Sequence, residues 1–274
     1  MVVPVRQLGL DDLCVHQVCL SGQCDFVSSL ANLVAAGMKR TALWNPMIET
    51  CGEGQALSIW NDSGLIAESL CVAELFAGVD TLRAMLDRAD LFQARTLVLI
   101  TGGLENTGFE GGIDQARTSL PELLAQANEL ARPHNVRLAF EPLHPMVCGH
   151  RSIVSSLGEA LDLLDQVGPA NEIGLAIDTY ALWWEDRLDQ KLIRAGKRIL
   201  NYHVSDWLSD TSDLRLDRGM PGDGQINLLQ WRTMLEQAGH SGPVEIEIFS
   251  RDRWWKQTPE SMLHRIRDGI NVAY

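Results

Sequence analysis

Eight short β-rich runs alternate with stretches of helical spacing along this chain, and no other feature limits its fold as much. The runs are LCVHQVCL (13–20), RTALWN (40–45), LIAESLCV (65–72), TLVLITGG (96–103), VRLAFEP (136–142), IGLAIDTY (173–180), LNYHVSD (200–206) and VEIEIFS (244–250). Between most of them, segments such as FVSSLANLVAAG, VDTLRAMLDRADLFQA, SLGEALDLLDQVG and LLQWRTMLEQAG repeat apolar residues three and four apart, the period of a half-buried helix. The stretch after the second run, CGEGQALSIWND, has the weakest helical pattern. Gly37, Gly168 and Gly239 stand where helices should close, as C-cap glycines do. Connections are short and no Pro/Ser/Gly linker divides the halves, so residues 1–274 read as one domain of eight βα units, a (β/α)8 barrel. A doubly wound sheet would want a glycine-rich phosphate fingerprint after the first strand, where SGQCDF offers one glycine.

In such a barrel the chemistry sits at the C-terminal ends of the strands. Strand five ends on Glu141, strand six on Asp178, strand seven carries His203 and Asp206, and strand eight carries Glu245 and Glu247. Three carboxylates at one mouth repel one another at neutral pH unless they are protonated or share a cation. A neutral imidazole beside them makes a divalent cation the simpler answer. Glu245 and Glu247 share a face at period two, but Glu247 lies about 7 Å nearer the strand end. The expected ligand set is therefore Glu141, Asp178, His203 and Glu247. Oxygen-rich ligation with one nitrogen favours Mn²⁺, with Mg²⁺, Co²⁺ or Zn²⁺ as alternatives; without cysteine ligands a purely structural zinc is not expected.

Charge narrows the partners. Lys and Arg total 23 against 36 Asp and Glu, a net −13 with no basic run, which repels a phosphate backbone and argues against nucleic acid. The N-terminus MVVPVRQLGLDDL lacks the basic start, apolar stretch and cleavage site of a secretory leader, and no segment approaches the ~20 apolar residues of a membrane span. A cytoplasmic, membrane-free location is expected, with the six cysteines reduced in the absence of any C-x-x-C pair.

Of the 8 Trp, Trp44, Trp183, Trp184, Trp207, Trp254 and Trp255 fall at or just after strand ends, as suits a rim that stacks against a sugar or cyclitol ring. Trp184 and Trp207 are taken as substrate contacts. Arg218, in DRGMPGDGQINL, is the cation placed to grip an oxyanion or hydroxyl. His16 on strand one is a substrate neighbour rather than a ligand, if its parity turns it to the mouth.

The segments FEPLHP, AIDTYALWW, YHVSDW, RGMPGDGQINL and PVEIEIF resemble, in order and over nearly the whole chain, the xylose isomerase-like TIM-barrel family, in particular its sugar phosphate isomerase/epimerase branch. The resemblance implies one divalent metal on the last four strands, which carries over to Glu141, Asp178, His203 and Glu247. It implies chemistry of the kind found among ketose epimerases, hydroxypyruvate isomerases, inosose dehydratases and isomerases, dehydroshikimate dehydratases and an endonuclease branch. One departure matters: family epimerases commonly have D-x-x-H at the Asp ligand, whereas here Asp178-Thr179-Tyr180 is followed by Ala181. His144, three residues after Glu141, supplies an imidazole from another direction.

The expected activity is proton transfer next to a carbonyl by a metal-dependent isomerase or epimerase, with Glu141 and Glu247 as base and acid beside His144. The alternative is a lyase on the same site, in which the enolate expels a β-substituent. An endonuclease-like phosphodiesterase would want further His on the earlier strands, and a non-catalytic sugar binder would hold no tight metal. A homodimer through the rim loops is compatible with the pattern, though no residue in these segments requires one.

Overall fold

Each of the eight runs forms a strand, and the strands pair in parallel in chain order until the last closes on the first. They are β1 Leu13–His16, β2 Arg40–Trp44, β3 Ile66–Glu74, β4 Thr96–Ile100, β5 Arg137–Phe140, β6 Ile173–Asp178, β7 Ile199–Val204 and β8 Val244–Ile246. This computed structural model describes residues 7–105, 107–167 and 173–273. The helices are α1 Phe26–Ala35, α2 Asn45–Cys51, α3 Glu53–Ser63, α4 Val79–Leu91, α5 Gly112–Ala131, α6 Leu157–Val167, α7 Thr179–Leu182, α8 Leu188–Ala195, α9 Leu228–Gln237 and α10 Pro259–Ala273. The result is a closed (β/α)8 barrel.

Parallel strands buried on both faces need apolar side chains on both, which is why the runs read as nearly continuous hydrophobic stretches. One set, Cys71, Val98, Ala139 and Ala176, fills the barrel interior; the larger core lies between the strands and the surrounding helices. No described helix is long and apolar enough to cross a membrane.

The helix ends follow local chemistry. Asp25 caps α1 by accepting the Ser28 N–H at 2.8 Å, and Gly37 turns the chain out of it at φ 74°, a left-handed conformation that favours glycine. Asn227 caps α9 in the same way and Gly239, at φ 94°, follows it. Gly168 lies outside the described residues. The weakly patterned stretch after β2 does form α3, but it buries only Ala56 and Trp60, which explains the faint periodicity.

Several runs outlast their strands at the C-terminal rim. Residues 17–20 turn into a 3-10 helix, Thr179 starts α7, and the ladder through β5 and β8 stops one residue before Glu141 and Glu247. Both glutamates still donate a backbone N–H to the neighbouring strand, Glu141 to Leu99 O at 2.9 Å and Glu247 to Val204 O at 3.0 Å. The rim acids thus keep strand geometry while their side chains reach past the ladder. Register places Asp178 opposite His203 and His203 opposite Glu245.

Candidate active site

Four of the strand-end residues meet at the C-terminal mouth. His203 Nδ1 lies 3.2 Å from Glu141 Oε1 and 4.0 Å from Glu247 Oε2, and one donor atom from each of the three residues falls within 4.8 Å of the other two. Asp178 joins them through Arg218, whose Nη1 is 3.0 Å from Asp178 Oδ2 and 2.9 Å from Glu247 Oε2. The other Asp178 oxygen accepts the Tyr180 N–H at 2.9 Å and so caps α7. Arg218 is held flat by aromatic faces, 4.6 Å from the Tyr180 centroid and 5.0 Å from that of Phe249.

Beneath this floor a second set of contacts fixes it. Glu245 accepts from Ser69 Oγ at 2.8 Å and Asn201 Nδ2 at 2.5 Å, and its Oε2 lies 3.7 Å from His203 Nε2. It therefore points below the histidine, and Glu247 is the strand-eight acid at the mouth. Cys19 brackets Glu247 in the chain, its Sγ donating to Ile246 O and accepting from Ile248 N–H. Asp206 stands apart from the floor: it is buried and accepts the backbone N–H groups of Trp207, Gly222, Gly224 and Ile226. It folds the loop that carries Arg218 back over the barrel.

Burial pushes Glu141 up to about 7, against the pull of His203. Burial also raises Asp178, with Arg218 opposing. For His203 burial works against the charge, but the hydrogen bond to Glu141 and the fields of Glu247 and Glu245 outweigh it and lift the imidazole to about 10. The acids are thus balanced by an imidazolium and a guanidinium. His16 is shifted the other way, lowered by burial and then by the positive His203 and Arg218.

The residues fit a divalent cation. Carboxylate oxygens and one imidazole nitrogen converge in a buried space, and His203 Nε2, without a hydrogen-bond partner among the described residues, is turned toward Glu245 as a metal-binding histidine is turned toward a supporting carboxylate. A second cluster, His16, Cys71 and Glu247, also brings three donor atoms within 4.8 Å. Its histidine is poorly suited to a metal: Nδ1 accepts the Val18 N–H at 3.0 Å, which puts the ring proton on Nε2, the atom that would have to ligate.

The mouth opens into a pocket of about 720 Å³ including its open end, walled by Trp44, Val98, Ile100, Leu143, His144 and Phe249 among others. His144 reaches this wall. Its Nδ1 accepts the Met146 N–H at 3.2 Å, and burial lowers its pKa, so the ring is neutral with Nε2–H free to donate. Three sequence expectations change place. Trp207 does not line the pocket but lies behind it, stacked on His144 at 5.2 Å and on Tyr180 at 4.8 Å. Trp184 is likewise outside the lining, its Nε1 donating to Ala181 O. Both tryptophans stiffen the wall because the loops after β6 and β7 fold their rings onto His144 and Tyr180. His16 is fully buried beneath Glu247 and away from the lining, because its Nδ1 is fastened to the turn that follows β1.

Tyr180, Phe249, Arg151 and Arg215 also line the pocket, and no strand-end or motif argument pointed to them. Phe249 was readable, as it follows Glu247 by two residues and shares its face. The arginines sit on loops whose paths have no period.

The pattern of the family described as xylose isomerase-like TIM barrel matches residues 73–266. The chain superposes on the solved structure of SMc04130 from Sinorhizobium meliloti 1021 with a TM-score of 0.86 and 35% identity, covering 96% of this chain and 98% of that one. It shares the fold of the IolI protein solved with a bound zinc atom, at TM-score 0.81 and 18% identity over 96% of this chain and 98% of that one. Among curated proteins, the inosose isomerase of Halalkalibacterium halodurans is 28% identical over 162 residues, 56% of this chain and 54% of the relative. The match thus spans about half the length of that relative.

Proposed function

The chain belongs to the xylose isomerase-like TIM-barrel family, and we propose that it is a divalent-metal-dependent isomerase or epimerase of a keto-sugar or keto-cyclitol. The observation that carries this reading is the convergence of Glu141, His203 and Glu247 at the barrel mouth, with Asp178 tied in through Arg218. Similarity to inosose isomerases favours a polyhydroxy carbonyl substrate.

Glu141, Asp178, His203 and Glu247 would hold the ion, with Mn²⁺ favoured by the oxygen-rich set and Zn²⁺ compatible with it. A bound divalent cation supplies Lewis acidity and a template for the carbonyl and neighbouring hydroxyl oxygens. Glu141 and Glu247 flank the space between them, so one carboxylate takes the proton from the carbon beside the carbonyl and the other returns one. Return to the opposite face epimerises; return to the neighbouring carbon isomerises. Arg218 donates to a substrate oxygen as negative charge gathers on it, and His144 Nε2–H donates from the side that Ala181 leaves unserved. Trp44 and Phe249 present apolar faces to the C–H surfaces of the ring. A cytoplasmic enzyme is part of the same reading. A lyase would use the same residues with a leaving group at the β-carbon.

Elemental analysis of protein purified without chelator, compared with Asp178→Ala, tests the site. The expected result is about one divalent ion per chain, lost in the variant, with solvent deuterium entering ketoses or keto-cyclitols only in wild type. No ion in wild type after addition of Mn²⁺ overturns the reading in favour of a binding role.

A further inference from the structure

Taking the proton-transfer reading of this pocket as its basis, we propose that the substrate carries a permanent negative charge, a carboxylate or a phosphate, seated on Arg215 at the pocket mouth with Arg151 beside it. Three acids form the floor, and a divalent ion with the Arg218 guanidinium balances them. Moving a proton from carbon to a carboxylate leaves the total charge of the complex unchanged, so the reaction itself calls for no further cation. Yet two more arginines line the same pocket.

Arg151 is matched, its Nη1 2.6 Å from Glu74 Oε1. Arg215 is not. Its backbone N–H rests on Asp213 Oδ1 at 3.0 Å, but the guanidinium makes no hydrogen bond or ion pair among the described residues, and the other Asp213 oxygen pairs with Arg251 at 3.2 Å. In a chain with 36 acids to 23 bases, acidic partners are plentiful, and this arginine nonetheless sits among other arginines. Although its side chain is largely exposed, partial burial, then the fields of Arg151 and Arg218, lower its pKa, with Asp213 and Glu74 opposing.

Exposure gives the pocket a direction. The acids of the floor are buried, the Arg218 side chain is 12% exposed, that of Arg151 25%, and Arg215 stands in solvent at the edge. Leu143, Val147 and Leu214 fill the wall. A ligand with its carbonyl at the floor and an anionic group at the other end meets both ends of this gradient. A guanidinium suits such a group, since its planar fork matches two oxygens at once. The neutral polyol of an inosose leaves Arg215 unused.

The test is calorimetric binding of three probes with one carbon chain, namely ribitol, ribitol 5-phosphate and ribonate, to Mn²⁺-supplemented wild type, Arg215→Gln and Arg215→Lys. At least one anion should bind wild type about 10–100-fold more tightly than ribitol, the range of a charge-assisted contact. In Arg215→Gln that advantage should fall to within about threefold, while Arg215→Lys keeps part of it. Which anion gains more identifies the group as phosphate or carboxylate. Equal affinity for all three probes, an advantage that survives Arg215→Gln, or no measurable binding of either anion overturns the inference. Among the described residues Arg215 makes no side-chain bond whose loss would unfold the variant, and circular dichroism checks that it is folded. Deuterium exchange without anion preference removes this inference alone; anion preference without exchange removes the proton-transfer reading and leaves the anion site.

Discussion

His16 and Glu247 extend side by side from the adjoining strands β1 and β8, His16 Nε2 to Glu247 Oε1 at 3.6 Å, while His16 Nδ1 accepts the Val18 N–H at 3.0 Å. The backbone thereby sets the tautomer, and the buried ring turns an N–H, not a lone pair, toward Glu247 at a distance longer than a hydrogen bond. In the proposed mechanism His16 would steady, from beside it, the carboxylate that both ion and substrate would use. His16→Ala should weaken Mn²⁺ binding about 10–100-fold, the usual effect of removing a supporting contact, whereas His16→Gln should keep much of it. Competition against a chelating indicator measures this, and an unchanged affinity in His16→Ala would remove the orienting role. The same geometry predicts that excess Mn²⁺ saturates at about one ion per chain, because the His16, Cys71 and Glu247 cluster presents an N–H where a ligand nitrogen is required.

Loading the ion should release a proton. His203 without metal is lifted to about 10 and is charged at neutral pH, whereas a ligating imidazole must be neutral. Raising the pH toward that value therefore strengthens binding, by about tenfold per unit for one proton released. Calorimetric titration of Mn²⁺ at pH 7 in two buffers of different protonation enthalpy counts the protons. Finding none would strike His203 from the ligand set.

The loop after β7 hangs on Asp206. Asp206→Ala strands four backbone N–H donors, those of Trp207, Gly222, Gly224 and Ile226, and should lower stability by about 3 kcal/mol or more. Gly224→Ala should act in the same direction, since a Cβ there would lie 2.3 Å from Trp207 O and 2.5 Å from Asp206 Oδ1. Urea unfolding followed by tryptophan fluorescence reads both, and a change below about 1 kcal/mol in Asp206→Ala would contradict this role.

Trp207 fixes His144 and Tyr180 from behind. Trp207→Leu should leave metal content unchanged yet slow deuterium exchange, by about tenfold if His144 loses its aim. Loss of the metal in that variant would show instead that the ring supports the floor itself.

The parts of this site that were legible before folding share one property: a period fixes them. Glu141, Asp178, His203 and Glu247 stand at ends of successive strands, and the strand rise of about 7 Å between two like-facing residues separates Glu247 from Glu245, which the structure turns down onto Ser69 and Asn201. What was not legible depends on loops. Trp184 and Trp207 belong to the rim by position, but contacts with Ala181, His144 and Tyr180 decide that they back the wall. His16 has its aim set by one hydrogen bond to Val18, and Arg151 and Arg215 reach the pocket from segments with neither strand nor helix spacing.

Arg218 already sits between Asp178 and Glu247, a tethered counter-ion of the chain's own. Small metallo-domains that gather acids and thiols around a vacancy stay unfolded until the metal arrives. On the proposed reading this barrel would be relieved of that dependence, because synthesis supplies a neutralising charge along with the acids. Under the proposed metal-dependent reading, newly made chains should accumulate folded during metal scarcity and become competent once an ion is delivered.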